Sequence, residues 1–281
     1  MPESPEVQAL ADFLGERAAG RSIRDVDVVE FRIIKTRARP LASLVGDRIA
    51  GASRHGKHID LAFDDGQHLV VSLGRHGWIA WHDDIAAAAD ADPPADDAPA
   101  VLARIALDDG SGFELTDAGS WVSLGVFVVD DASEVPAIAK LGPDPADPGY
   151  TRADFDRAVV GRRKQIKAIL QEQESIAGIG NAYSDEILHA AKISPVAHAA
   201  ALDADALDRL YAATVSTVRD AIAARHGVPI DQLKAAKIAA MRVHGRAGET
   251  CPVCGGEIRD FSFGSTTAEY CPACQTDGAI L

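Results

Sequence analysis

The first six residues, Met1-Pro2-Glu3-Ser4-Pro5-Glu6, place a potential nucleophile beside an acid. Once Met1 is trimmed, Pro2 becomes a free secondary amine. An α-amino group titrates near pH ~8, so a useful fraction is unprotonated at neutral pH. Such an amine attacks electrophilic carbon and forms an iminium, the chemistry of Schiff-base catalysis. Glu3 stands next to it as a proton donor or acceptor. The same prolines also suit the entry to a helix, with Glu3 and Glu6 at its positive end. Taken alone, these residues favour the structural reading, and the rest of the chain has to shift the balance.

Three further stretches carry chemistry. All four cysteines fall in Cys251-Pro-Val-Cys254 and Cys271-Pro-Ala-Cys274, with sixteen residues between the pairs. This is the spacing of a four-thiolate zinc site, and four thiolates leave the metal no open position, so the expected role is structural. Gly178-Ile179-Gly180-Asn181 allows a tight, exposed backbone between two helices. Asn181 then starts a helix whose free N–H groups can bind a phosphate. Lys164 and Lys167 lie just upstream. In Arg54-His55-Gly56-Lys57-His58, a lysine after a glycine sits between two apolar runs, where it can project from a hairpin onto a phosphate or simply be solvated.

The elements that position these residues follow from periodicity. Val7, Leu10, Ala11, Leu14 and Ala18 recur at spacings of three and four, which predicts an amphipathic helix over residues 3–19 ending near Gly20. Short β-like runs follow at 23–29, 46–53, 58–63, 68–73 and 78–82, and resume at 103–107, 112–116 and 121–129. Regular short strands predict a sandwich or barrel. The Ala/Asp/Pro tract at 83–100 has no amphipathic period and reads as a mobile acidic insertion. Residues 141–150 read as a linker closing an N-terminal domain of residues 1–140. A helical domain is expected over 151–240, with Thr151 capping its first helix through Asp154. Residues 226–250 read as a connector into a cysteine module over 241–281.

The chain has 281 residues, 28 basic and 42 acidic, for a net charge of −14. Residues 1–150 hold 13 basic and 26 acidic side chains, whereas residues 151–281 are nearly balanced at 15 and 16. The acidic total argues against a nucleic-acid partner at first sight, but the second half can still present a local basic surface. No apolar run approaches the length needed to span a bilayer, and the N-terminus is acidic rather than basic. The expectation is a soluble, cytoplasmic protein.

Together these blocks resemble the formamidopyrimidine-DNA glycosylase/endonuclease VIII family of base-excision repair enzymes. The family begins Met-Pro-Glu-x-Pro-Glu, as this chain does. The likeness continues through Gly56-Lys57, Leu141-Gly142-Pro143-Asp144-Pro145, Ile166-Lys167, Gly178-Ile179-Gly180-Asn181-Ala182-Tyr183 with Glu186, and Tyr270-Cys271-Pro272-Ala273-Cys274-Gln275, in the family's order. The resemblance implies an α+β fold: an N-terminal helix on a β-sandwich, a helix–two-turn–helix domain and a C-terminal zinc β-hairpin finger. It implies one structural zinc on Cys251, Cys254, Cys271 and Cys274. The partner it implies is damaged double-stranded DNA, engaged by a monomer that is nucleoid-associated when bound. Pro2 would attack the anomeric carbon of a flipped-out damaged nucleotide. Glu3 would assist ring opening and proton transfer, Lys57 would hold a phosphate, and Glu6 would support the N-terminal site. Asn181 and Lys167 would fix the backbone beside the lesion.

The chain departs from the family pattern in three places. The finger arginine expected five residues before the third cysteine is Thr266, which loses the charge and the bidentate fork. The gap-filling methionine is Arg75, followed by His76, and the usual Asp-Pro-Arg-Arg-Phe-Gly stretch is Asp117-Ala118-Gly119-Ser120-Trp121-Val122. Trp121 can serve as a stacking wedge or as a half-buried strand aromatic. Residues 227–249 lack the Gly-rich loop by which 8-oxoguanine-specific members cover the lesion, and carry Lys234, Lys237, Arg242 and Arg246 as a basic approach to the finger. The leading reading is a bifunctional DNA glycosylase with abasic-site lyase activity. The alternative is a structure-specific damaged-DNA-binding protein of the same fold with weakened catalysis.

Overall fold

The computed structural model describes residues 1–89, 98–263 and 266–281; the side chains of residues 263 and 266 lie outside that description. The chain divides into two compact units. One contains Met1–Pro2, Glu6–Ala139 and His226–Asp231, and the other contains Glu3–Pro5, Lys140–Arg225 and Gln232–Leu281. None of the described helices is long and apolar enough to cross a membrane.

Helix α1, Ser4–Arg17, belongs to the first unit from Glu6 onward. Its stripe of Val7, Leu10, Ala11 and Leu14 is buried, as the spacing predicts, and Gly20 ends the segment at φ 80°. Among the described residues, eight strands form two four-stranded antiparallel sheets, the expected β-sandwich. One sheet has the order β1 (Ile23–Val28), β6 (Ala100–Leu107), β7 (Gly112–Asp117), β5 (Gly77–His82). The other runs β2 (Ile49–His55), β3 (His58–Phe63), β4 (His68–Ser72), β8 (Gly125–Val129). Apolar residues at alternate positions, such as Ile59, Leu61 and Phe63, face inward because successive side chains on a strand point to opposite faces.

Two expectations for this unit need correction. Residues 83–100 were expected to be an irregular insertion. Instead Ile85–Ala89 form a short helix, α2, whose first turn is held by Asp84 Oδ1 accepting from Ala86 N and Ala87 N, each at 3.1 Å. Ile85 is buried, and that contact gives the segment a fixed place; residues 90–97 of the tract lie outside the described residues. The strand expected over 121–129 starts only at Gly125. The cause is Asp117, whose carboxylate accepts from Gly119 N at 2.8 Å, Ser123 N at 2.9 Å, Ser123 Oγ at 3.0 Å and Leu124 N at 3.2 Å. Backbone groups that would have extended the ladder are drawn into a loop by a local side chain.

The first unit's long segment closes with α3, Pro136–Ala139, and the second unit resumes at Lys140 with the stretch expected to be a linker. That stretch is packed. Arg219 donates to Pro145 O at 3.0 Å and Asp147 O at 2.7 Å, and Gly142 N donates to Gln173 O at 2.9 Å. The helices are α4 (Arg152–Val159), α5 (Ile166–Leu170), α6 (Asn181–Ala191), α7 (Ala204–Arg225), α8 (Leu233–Ala240) and α9 (Pro272–Gln275), with the hairpin β9 (Arg259–Phe263) and β10 (Thr266–Tyr270). Thr151 and Asp154 form the expected reciprocal capping box on α4. Lys192, in the left-handed conformation, ends α6 ahead of Ser194-Pro195. α8 falls inside the expected connector. Its Leu233, half-buried Ala236 and Lys237, and the following Met241 line one face at helical spacing, while Ile238 is 71% exposed. The lysine within that stripe hides the period.

Burial pushes the Asp117 carboxyl up, but the donors from Ser123, Gly119 and Leu124 outweigh it and hold the group below its ordinary range. A carboxyl depressed in the folded state stabilises the fold above its unfolded value, and that contribution disappears as the pH falls through the folded value. Urea unfolding of Asp117→Asn should therefore show about 1–3 kcal/mol lower stability at neutral pH and a flatter acid limb than the parent.

Candidate active site and zinc finger

Glu3 is a fully buried carboxylate at the start of α6. Its Oε2 accepts from Gly180 N in a short bond and from Tyr183 N at 3.4 Å, and its Oε1 accepts from Ala182 N at 3.0 Å. Ser4 N donates to Gly178 O at 3.0 Å, so the N-terminal peptide and the glycine turn clasp each other. The anion at this helix N-terminus is thus a side chain of the protein itself. This corrects the expectation of an exposed turn open to a phosphate: Gly178 and Gly180 are buried, because a buried carboxylate must be saturated with donors. Gly180 has to be glycine, since a Cβ there would lie 2.6 Å from Glu3 Cδ. Gln173 latches the turn, accepting from Gly178 N at 2.9 Å and donating to Ile179 O at 2.7 Å.

A second charge meets Glu3. Lys237 Nζ of α8 lies 3.4 Å from Glu3 Oε1 and 4.9 Å from the centre of the Tyr183 ring. The sequence placed Lys237 on a basic approach to the finger, whereas in the structure it turns to the carboxylate. Pro2 is buried next to Glu3 in the chain, Glu6 is buried one turn on, and Met1 is exposed. Lys57 is half-buried and forms with Gly56 the two-residue loop of the β2–β3 hairpin, where His55 pairs with His58 and Gly56 adopts φ 56°. Arg54 braces the hairpin, donating to Gly56 O at 2.8 Å and to Gln8 Oε1 of α1 at 2.9 Å.

Asn181 is half-buried at the first position of α6, and its Oδ1 accepts from Gln171 Nε2 at 3.2 Å. Lys167 is buried. Its ammonium donates to Asn181 O at 3.4 Å and to Ser184 Oγ at 3.2 Å, and makes a short ion pair with Asp185. Burial pushes the Lys167 ammonium below its ordinary value, with Asp185 pulling the other way. Asp185 Oδ2 continues the chain of charges to His244 Nδ1 at 2.8 Å, and His244 Nδ1 reaches Glu269 Oε2 of β10 at 3.1 Å. Glu186 accepts from Arg242 N, Val243 N and His244 N, each at 3.0 Å. The sequence singled out Glu186 but not Asp185, His244 or Glu269, whose proximity has no local spacing.

Arg75, His76 and Trp121 come together on two loops of the first unit. Arg75 Cζ lies 5.9 Å from the Trp121 ring centre, and a Cβ on Gly119 would fall 2.9 Å from His76 Cδ2. Ser123 Oγ ties the loops, accepting from Arg75 N at 2.9 Å and His76 N at 3.4 Å. Trp121 is 62% exposed, so it is not the half-buried strand aromatic that the sequence also allowed. Held by Asp117 and Ser123, the two loops present an aromatic and a guanidinium side by side.

The four thiols lie within 4.8 Å of one another, with Cys251 Sγ 4.0 Å from Cys274 Sγ and Cys254 Sγ 3.3 Å from Cys271 Sγ. Zn–S bonds of about 2.3 Å give tetrahedral edges of about 3.8 Å, so the donors fit zinc. Hydrogen bonding from Gly256 N draws the Cys254 thiol down to about 7, whereas burial and the neighbouring thiols push Cys274 up. Bound zinc would take all four as thiolates. His189 Nε2 lies 3.4 Å from Cys251 Sγ, and Gln275 Nε2 donates to Ile193 O at 2.9 Å, tying the finger to α6 and the residues after it. Thr266 opens β10 opposite Phe263, and its side chain lies outside the described residues.

Sequence profiles match the chain in order: the formamidopyrimidine-DNA glycosylase N-terminal domain over residues 1–120, its H2TH domain over 141–231, and the zinc finger found in FPG and IleRS over 248–276. A helix and β-sandwich, an H2TH domain and a structural zinc finger with four cysteine ligands, in that order, define the class. The chain belongs to the formamidopyrimidine-DNA glycosylase family. It is 32% identical to the formamidopyrimidine-DNA glycosylase of Mycolicibacterium smegmatis, over 98% of this chain and 97% of that one. It is 45% identical over 141 residues to an uncharacterized formamidopyrimidine-DNA glycosylase-like protein of Mycobacterium tuberculosis, covering 50% of this chain and 88% of that one. A Lactococcus lactis Fpg complexed with FAPY-dG-containing DNA is similar with a TM-score of 0.85 and 25% identity, over 98% of this chain and 100% of that one.

Gly180→Ala should destabilise the protein by about 1–3 kcal/mol through overpacking against Glu3. This outweighs the gain of about 0.4–1 kcal/mol from a stiffer unfolded chain, and denaturant unfolding reads the sign. Cys271→Ser should release zinc at least about tenfold more readily, measured by metal content after dialysis against a chelator.

Proposed function

We propose that the protein is a base-excision-repair DNA glycosylase that also cleaves the strand at the abasic site by β/δ-elimination, with Pro2 as nucleophile. The observation that carries this reading is the Glu3 carboxylate, buried and held by the Gly180, Ala182 and Tyr183 N–H groups directly after Pro2 in the chain. Binding DNA alone gives no reason to bury a charge in the second residue of a mature N-terminus, because desolvation of a carboxylate costs several kcal/mol unless donors offset it.

The chemistry runs as follows. With Met1 removed, the Pro2 nitrogen lone pair attacks C1′ of the damaged nucleotide. The glycosidic bond breaks, and the base leaves with a proton from water. Glu3 takes up the proton that the Pro2 nitrogen sheds on bonding to C1′ and passes it to O4′, which opens the ring and leaves an iminium between Pro2 and C1′. Loss of a C2′ proton then expels the 3′ phosphate, loss of the C4′ proton expels the 5′ phosphate, and water finally hydrolyses the iminium to release the sugar fragment from Pro2. Lys57, at the tip of its braced hairpin, suits a phosphate contact, and Asn181 lies on the Glu3-binding turn. Trp121 with Arg75 suits the space vacated by a flipped nucleotide, by stacking and cation–π contact. The damaged duplex is the proposed partner of a monomer.

Thr266 favours a second reading. Without the arginine fork, the finger's hold on phosphate is weaker, as in a damaged-DNA-binding protein with reduced catalysis.

Borohydride trapping on a duplex with one abasic site separates the two. A covalent adduct mapped to Pro2 is expected, reduced in Pro2→Gly. Glu3→Gln should lower base removal by about 10²-fold or more while duplex binding is retained. Binding without any adduct, from Met1-free and zinc-loaded protein, would support the second reading instead.

A further inference from the structure

The two oxygens of Glu3 are held differently. Oε2 is fixed by backbone, through Gly180 N and Tyr183 N. Oε1 is shared between Ala182 N at 3.0 Å and the Lys237 ammonium at 3.4 Å. The side chains of Lys237 and Glu3 are 14% and 2% exposed, so their attraction is little screened by water. Lys237 is aimed there by α8: Leu233, four residues earlier, is fully buried on the same face, Met241 follows four residues later, and Ile238 points outward. The Tyr183 ring, 4.9 Å away, lies against the ammonium as a second constraint.

From this geometry we infer that Lys237 is a positioning residue for the reaction. It orients the Glu3 oxygen that exchanges a proton with the sugar, rather than gripping phosphate as a basic surface lysine would. The segment 227–249 thus contributes to the site through a helix-borne cation instead of a loop laid over the damaged base. This rests on the proposed role of Glu3 as proton donor. Lys167 feels the same carboxylate from α5 but is engaged by Asp185, whereas Lys237 bears on Oε1 at hydrogen-bonding range.

The test separates rate from affinity. Single-turnover cleavage of an abasic duplex at saturating protein, the duplex dissociation constant and the unfolding temperature are measured for the parent, Lys237→Met, Lys237→Gln and Lys237→Arg. Lys237→Met and Lys237→Gln should lower the saturated rate about tenfold or more, because small misplacements of a catalytic group cost up to about 10²-fold. The dissociation constant should stay within about twofold, since no phosphate contact is lost. Lys237→Arg should recover most of the rate. An unchanged saturated rate with weaker, more salt-sensitive binding would overturn the inference and make Lys237 a phosphate contact. Equal loss in all three variants with a lowered unfolding temperature would also overturn it, as a structural role. No borohydride adduct from the parent protein would instead sink the catalytic reading itself.

Discussion

Burying the Glu3 carboxylate is the constraint on which the site depends. An unpaired carboxylate away from water is so costly that the surroundings must supply donors, and here one helix N-terminus supplies three backbone N–H groups. That requirement explains neighbours that otherwise look unrelated. Gly180 has no side chain because the carboxylate occupies the volume. Gly178 adopts φ 85° so that the turn can direct its N–H groups inward. Gln173 holds the turn from the side, and Lys237 brings the compensating charge.

The same helix organises the finger. α6 buries Ser184, Asp185, Glu186 and His189, an unusual polar load for eleven residues. Each side chain has a partner. Asp185 joins Lys167 to His244, Glu186 binds three consecutive backbone N–H groups before the first cysteine, and His189 meets Cys251. Zinc closes the finger on itself, whereas these contacts orient it against the helical unit. Removing a single member would leave a buried group unsatisfied, so the network is more specific than an apolar patch of equal area.

The loops bearing Arg75 and Trp121 show the opposite economy. Their large side chains are exposed, and rigidity comes from Asp117 and Ser123 beneath them. An exposed indole over a well-bonded loop costs little conformational entropy when it meets a flat partner. The Asp117-x-Gly119 spacing carries the signal of a side-chain-held turn, but the alternating apolar residues after Trp121 resemble a strand, and the strand reading prevailed there.

The sequence by itself determined the elements whose physics is local. The α1 stripe, the hairpin around Gly56-Lys57, the Thr151 capping box and the paired dithiols depend on near-neighbour geometry, and they lie where periodicity and spacing put them. The ordered blocks also fixed the family. Tertiary structure decided what the glycine turn binds, because its N–H groups are indifferent to whether the anion is a phosphate or Glu3, 177 residues away along the chain. It decided that 141–150 is packed, that 85–89 is helical, and that Lys237 faces inward on a helix hidden by its own charge. Those outcomes rest on long-range burial and charge pairing, which no local pattern of residue types encodes.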